Sequence, residues 1–328
     1  MSFRREEEHT MIPNTATLLQ LAYGRFAVGA FSINSIEQIL GAFRGAAMAA
    51  APLIIQISRR ARQYAGPGVL EAAVHAAARL FPEILFALHL DHGDEQSCYD
   101  AIESAFYSSV MIDASQRSFE ENIATTRRVV ERAHARGLSV EAELGRLSGK
   151  EDDIAVDQSM AFLTDADQAA EFVERSGCDA LAVAVGTGHG LHKFAGTGQL
   201  HLERLIQIQQ RLPGFPLVLH GASSIPSEEI ARINAAGGAV APDAQGFPET
   251  MYLLAAQRGV AKINIDTDGR LIWARVMREH LRDHPAEIDL REPGRVFVAE
   301  YAQRVAHLCQ CFGCAGRLAE VRRQLGWG

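Results

Sequence analysis

Eight short apolar runs recur along the chain, at residues 26–33, 52–58, 84–91, 109–113, 138–143, 180–185, 216–220 and 260–265. Nearly continuous apolar runs of this length read as strands buried on both faces, the pattern of a parallel sheet. The segments between them carry helical periodicity, at 15–23, 35–50, 69–80, 95–106, 118–136, 165–176, 201–211, 227–236 and 248–258. Ser35 followed by Gln38 has the spacing of a capping box, and Gly137 stands where the longest of these helices should stop. Strand and helix in strict alternation imply a parallel α/β sheet. Eight such units imply closure into a (β/α)8 TIM barrel. An open doubly wound sheet would need a switch point, and no strand-like run is followed by the glycine-rich turn of a dinucleotide-binding fold. The expectation is one barrel domain over 1–328, with 270–328 as a C-terminal helical extension.

Composition narrows the function classes. There are 32 Lys and Arg against 40 Asp and Glu, a net charge of −8. A nucleic-acid partner therefore has no basic footprint to meet. No apolar stretch is long enough for a membrane span, and the basic residues near the N-terminus are not followed by an apolar signal segment. These features predict a cytoplasmic protein. Five cysteines, an odd number, predict reduced thiols and not a disulfide framework. Cys309, Cys311 and Cys314 invite a zinc reading, for which only the nearby His307 could serve as fourth ligand, and thiols at a helix end are the plainer expectation.

In such barrels the chemistry collects at the C-terminal strand ends, and here nearly every end is polar. In order they are Asn34; Ser58; Asp91 and His92; Asp113; Glu141 and Glu143; the run 186–190 containing His189; His220; and 264–267. His89 and Asp91 share a strand face, because side chains alternate with period two. His92, His189 and His220 are each followed by glycine. Any one of them reads most simply as a hydrogen-bonded buried histidine. Three at one mouth give three nitrogen ligands with an open fourth position, the arrangement of a catalytic zinc site, although imidazoles also accept cobalt or iron. Asp113 and Glu143 stand on neighbouring strands, as partners of the histidines, as ligands of a second metal, or as ordinary ion-pair carboxylates. Gly221, Ala222 and Ser223, with Asn264, Ile265, Asp266 and Thr267, supply the backbone N–H groups and hydroxyls that cradle a phosphate. Lys193 adds positive charge. Arg270 suits a second phosphate or simply faces solvent. Asn34, Ser58 and Gly190 complete the candidate substrate contacts. Lys262, two residues before Asn264, leaves a Schiff-base mechanism open.

The ordered set of motifs resembles the class II, metal-dependent fructose-bisphosphate aldolases, nearest to the form that includes tagatose-bisphosphate and Calvin-cycle enzymes. The matching stretches are 89–93, 110–115, 141–145, 186–190, 219–226 and 262–268, within a likeness running from about residue 14 to 320. The resemblance implies His92, His189 and His220 as ligands of a catalytic Zn2+. It implies Asp91 as the acid/base at the substrate C4 hydroxyl, and Glu151 as a glutamate that moves a proton on the dihydroxyacetone phosphate carbon. It assigns Asp113 and Glu143 to a second divalent ion, and allows a monovalent cation. Gly190, Lys193, Gly221, Ser223, Asn264, Asp266 and Thr267 fall on the dihydroxyacetone-phosphate positions, and Arg270 on a residue reaching the other phosphate across a subunit boundary. A homodimer or homotetramer follows. The chain departs from the family pattern at 147–150, where adjacent glycines are common, at His192, where relatives carry tyrosine, and in the cysteines of 309–314.

The implied reaction is reversible, metal-dependent cleavage of fructose 1,6-bisphosphate to dihydroxyacetone phosphate and glyceraldehyde 3-phosphate. Tagatose or sedoheptulose bisphosphate is the alternative substrate. Three competing readings are a Schiff-base aldolase on Lys262, a zinc hydrolase and a barrel retained only for binding. The hydrolase reading lacks the His-x-His pair that many such barrels carry on the first strand, which ends here in Ser32-Ile33-Asn34.

Overall fold

The computed structural model of the chain describes residues 11–145, 149–151, 154–156, 162–188 and 200–327. Helix α1 (Thr15–Ala22) precedes β1 (Val28–Ser32), α2 (Ile36–Ala49) and β2 (Leu53–Ser58). Then come α3 (Arg59–Ala65), α4 (Val69–Ala78), β3 (Phe86–Gly93), α5 (Glu95–Ser104), β4 (Ser109–Ile112), α6 (Phe119–His134) and β5 (Ser139–Leu144). A hairpin, β6 (Gly149–Glu151) with β7 (Ile154–Val156), leads to α7 (Ala166–Ser176), β8 (Ala180–Val183), α8 (Leu202–Arg211), β9 (Leu217–Leu219) and α9 (Ser227–Ala235). A 3-10 turn (Glu249–Met251), α10 (Tyr252–Gln257), β10 (Val260–Ile265), α11 (Thr267–Asp283), α12 (Arg291–Cys311) and α13 (Leu318–Gln324) finish the chain.

The eight barrel strands close in the order β1-β10-β9-β8-β5-β4-β3-β2, every neighbouring pair parallel. This is the TIM barrel that the alternation predicts. The wall is almost wholly buried because helices cover its outside and side chains fill its inside. The helices start where their residues can cap them. Ser35 Oγ accepts from Gln38 N–H, Asp94 Oδ1 from Ser97 N–H, and Ser118 with Glu121 forms a reciprocal capping box. α1 sits under the N-terminal end, its Thr15 hydroxyl 2.6 Å from Ser109 Oγ.

Helix α12 is clasped to α2 through small residues. A Cβ on Gly45 would stand 2.5 Å from Val305 Cβ and 2.6 Å from the Ala302 carbonyl oxygen. The two helices therefore approach at a distance only glycine permits, and the C-terminal extension is packed onto the barrel wall. No helix among the described residues is long and apolar enough to cross a membrane.

Three details differ from the sequence reading. The segment after the fifth strand, for which the sequence offers no strand, contains the hairpin β6–β7. Residues 59–65 form α3, capped by Ser58 Oγ accepting from Ala61 N–H at 3.3 Å. The third strand continues two residues past Asp91, through His92 to Gly93.

Candidate active site

That extension of β3 shapes the site. Leu90 pairs with Val110 and Gly93 with Ile112, so Asp91 and His92 together oppose Met111. This is a β-bulge, which re-aims the side chain at the extra residue. His92 adopts φ 45°, the left-handed region that a non-glycine residue rarely occupies. In an even pleat Asp91 and His92 would face opposite ways. The bulge brings both to the mouth, and ligand atoms of Asp91, His92 and His220 lie within 4.8 Å of one another. Gly93 then packs where a Cβ would meet Cys98 Sγ at 2.8 Å.

Asp91 is held from two strands. Gln56 Nε2 of β2 donates to its Oδ2 at 3.1 Å, and Asn264 Nδ2 of β10 donates to its Oδ1 at 3.1 Å. Gln56 is itself fixed by donating to Ser32 Oγ at 2.8 Å. His89 plays no part in this. Its Nδ1 is 2.7 Å from Ser109 Oγ and its Nε2 lies 3.6 Å from Glu141, so it does not orient Asp91 and belongs to a deeper layer. Burial and the charge on Lys262 drive its pKa well below the usual histidine value, so it stays neutral.

The two described histidines are each backed by carboxylates. His92 Nδ1 meets Asp113 Oδ2 at 2.9 Å, while Asp113 Oδ1 accepts from the Ser115 hydroxyl at 2.7 Å. Burial alone would raise the Asp113 pKa; hydrogen bonds from His92 and Ser115 outweigh it and hold it at about 2. His220 Nε2 meets Glu141 Oε1 at 2.9 Å, and its Nδ1 lies 3.3 Å from Glu143 Oε2. Burial pulls the His220 pKa down, but Glu141 and Glu143 win and raise it to about 9. A cation taken up at His220 must displace that proton, so uptake weakens as the pH falls. His92, Asp113 and Glu143 form a second convergent group within 4.8 Å. This donor set, imidazole nitrogens with carboxylate oxygens, fits a divalent transition metal.

His189, Gly190 and Lys193 lie outside the described residues, as does the Glu151 side chain. The chain leading to His189 is nonetheless tied to the β9 loop. Thr187 Oγ1 donates to the His220 carbonyl at 2.8 Å, and a Cβ on Gly221 (φ 61°) would stand 2.5 Å from the Gly188 carbonyl oxygen. Gly221 is therefore required twice, by its backbone angle and by close approach.

The loops after the seventh and eighth barrel strands, expected to cradle a phosphate, are bonded to one another. Ser223 Oγ accepts from the backbone N–H groups of Asp266 and Thr267 at 3.2 and 3.1 Å, joining the β9 loop to the N-terminus of α11. A helix start with oriented N–H groups favours an anion. Asp268 braces the loop from behind, accepting from Ile225 N–H at 3.0 Å and from Arg304 Nε at 3.0 Å; Arg304 also bonds Ser224 and Glu249. Ala222 gives its carbonyl to the Tyr252 hydroxyl at 2.6 Å, and Ile265 is fully buried. Asn34 N–H donates to Gln38 Oε1 at 2.8 Å. Arg270 folds back on Asp266 of its own helix start at 2.9 Å.

Lys262 points into the barrel, fully buried, with Nζ 2.8 Å from Glu141 Oε2. Its ammonium is engaged in a structural ion pair below the mouth, which disfavours the Schiff-base reading. Breaking such a buried pair costs about 3–5 kcal/mol. Lys262→Met is therefore expected to lower the free energy of unfolding by that much, measured by urea denaturation; an unchanged value would mean the pair contributes nothing.

The sequence reading omitted Gln56, Glu141, Asp268 and Arg304 from the site. Gln56 had a signal, as the one amide in the run Leu53-Ile54-Ile55-Gln56-Ile57. Arg304 had none, being 80 residues from Ser224 in the chain.

A parallel barrel that gathers a buried, clamped carboxylate, a convergent histidine–carboxylate group and a loop bonded to a helix start at one mouth has the architecture of a TIM-barrel enzyme. The chain matches the family model described as fructose-bisphosphate aldolase class-II over residues 13–317. It is 41% identical over 304 residues to a fructose-bisphosphate aldolase of Giardia intestinalis, covering 91% of each chain. It is 41% identical over 298 residues to one of Thermus caldophilus, covering 89% of this chain and 94% of the relative. The crystal structure of the YdjI aldolase of Escherichia coli K12 superposes with a TM-score of 0.71 at 28% identity, over 93% of this chain and 98% of that one. The chain belongs to the class II fructose-bisphosphate aldolase family and is an aldolase, a carbon–carbon lyase.

Proposed function

We propose that this chain catalyses the reversible aldol cleavage of fructose 1,6-bisphosphate to dihydroxyacetone phosphate and glyceraldehyde 3-phosphate. The observation that carries the reading is the carboxylate of Asp91, buried, clamped by Gln56 and Asn264, and set beside His92 and His220. Gln56 Oε1 and Asn264 Oδ1 are buried acceptors with no hydrogen-bond partner among the described residues. Buried polar atoms are normally satisfied, and sugar hydroxyls are suitable donors for them.

In the cleavage direction Asp91 takes the proton of the C4 hydroxyl as the C3–C4 bond breaks. The C4 oxygen becomes the aldehyde carbonyl, and the bonding pair remains on C3 of the three-carbon fragment. Glu151, on the hairpin strand β6, is the proposed donor of the proton that C3 then accepts. The Ser223 loop and the start of α11 hold the phosphate of that fragment. Gly190 and Lys193, beyond the described residues, are assigned to the same phosphate on the resemblance alone. Arg270 is proposed to reach the other phosphate across the boundary of a homodimer or homotetramer, which requires it to leave Asp266.

His92 and His220, with His189 by sequence, would hold a divalent cation, proposed as Zn2+, which when bound supplies Lewis-acid polarisation of the ketone. Asp113 and Glu143 orient the histidines and are the candidate ligands for a second ion.

A cleavage assay on fructose, tagatose and sedoheptulose bisphosphates, read by triose-phosphate release, tests the proposal. Fructose 1,6-bisphosphate should be cleaved with the highest kcat/KM. Preference for either other sugar would overturn the substrate assignment, and no cleavage of any would overturn the reaction.

A further inference from the structure

Three donor atoms of unlike chemistry converge on the outer wall of the barrel, away from the mouth. His307 and Cys311 are four residues apart on α12 and share one face of it. Glu249 reaches them from the 3-10 turn that precedes α10. Cys311 Sγ lies 3.5 Å from His307 Nε2 and 3.7 Å from Glu249 Oε2. His307 Nε2 is 2.6 Å from the same carboxylate oxygen. All three atoms fall within a 4.8 Å group.

These separations can be compared with what a tetrahedral ion demands. With a zinc–sulfur bond of about 2.3 Å and zinc–nitrogen or zinc–oxygen bonds of roughly 2.0–2.1 Å, ligand atoms stand about 3.5 Å apart. The two sulfur edges already have that length. Only the Glu249–His307 edge must open, by about 0.8 Å on the same geometry, which rotation of the half-exposed His307 ring permits. The neighbouring cysteines do not compete. Cys309 and Cys314 are fully buried, and the Cys314 thiol is turned toward the Cys309 carbonyl at 3.4 Å. Arg304 bonds the other oxygen of Glu249 at 2.6 Å, which fixes the carboxylate and leaves Oε2 aimed at the pair. His307 is 48% exposed in its side chain, so an ion has a path in from solvent.

We propose that Glu249, His307 and Cys311 form a second metal site, separate from the mouth, that takes one divalent cation of the zinc type with solvent in the fourth position. Sulfur, imidazole and a single carboxylate select zinc or cobalt over magnesium and calcium, which take oxygen ligands. The ion would staple α12 to the segment behind the phosphate loop, since Glu249 and Ser224 share Arg304.

Cobalt titration of the intact enzyme tests this, because the donors at the mouth are nitrogen and oxygen only. A near-ultraviolet sulfur-to-cobalt charge-transfer band therefore reports on the cysteine site alone. The band should grow to one equivalent per chain under a non-thiol reductant and disappear when zinc is added. It should be absent in Cys311→Ser and at least tenfold weaker in affinity in His307→Ala, with cleavage of sugar bisphosphate unchanged in both variants as a check on folding. Absence of the band in the wild-type protein would overturn the site. So would a band that survives Cys311→Ser, or one that saturates only far above the protein concentration, as adventitious binding does.

Discussion

His220→Ala should release the metal from the mouth and lower kcat/KM by at least about 10³-fold, the equivalent of roughly 4 kcal/mol of barrier. His220 stands between Glu141 and Glu143, at 2.9 and 3.3 Å, and its ring centroid is 4.8 Å from that of His92. Alanine removes a proposed ligand and leaves two buried carboxylates without their shared imidazole. Metal content measured on the purified variant, beside its turnover, decides the matter. A variant that keeps its metal and its rate would place the catalytic ion elsewhere. The fold should survive, because Glu141 retains Lys262 at 2.8 Å.

Asp91→Ala should lower turnover by about 10²–10⁴-fold, the usual contribution of a positioned acid/base. The structure adds a sharper condition. Asp91 also lies within the 4.8 Å group with His92 and His220, so a ligand role competes with the proton-transfer role. Its oxygens already accept from Gln56 and Asn264, which fixes the carboxylate as a base would need to be fixed. The proton-transfer reading therefore predicts that turnover falls while metal content stays. Loss of metal in parallel with activity, in both Asp91→Ala and Asp91→Asn, would make Asp91 a ligand instead.

Most of the barrel was legible because buried parallel strands write themselves as uninterrupted apolar runs, and eight of them leave few ways to close. The polar strand ends were legible for a related reason. His92, Asp113, Glu143 and His220 interrupt those runs abruptly, and burial of such groups is costly without partners. What stayed hidden depended on local backbone or on distant contacts. Nothing in 89–93 announces that His92 takes φ 45° and that β3 bulges there, yet this is what turns His92 and Asp91 to one side. Helix α3 is rich in arginine and has little apolar periodicity, so its existence rests on the Ser58 cap and on packing. The bracing of the Ser223–Ser224 loop by Arg304, and the meeting of Glu249 with His307 and Cys311, join residues 55 to 80 positions apart. Spacing along the chain cannot reveal such pairs. The cysteine cluster shows the limit well: its spacing suggests thiols at a helix end and does not say that, of Cys309, Cys311 and Cys314, only Cys311 turns outward.

On the proposed mechanism, the mouth of this barrel cleaves a ketose bisphosphate with a metal ion and without a lysine adduct. This mechanism is tested most directly by assaying cleavage of fructose 1,6-bisphosphate after exhaustive chelation, after restoring zinc, and with borohydride present. Turnover should be lost on chelation, return with zinc, and be untouched by borohydride, with no substrate trapped on Lys262. Full activity in excess chelator, or a reduced adduct on Lys262, would contradict it.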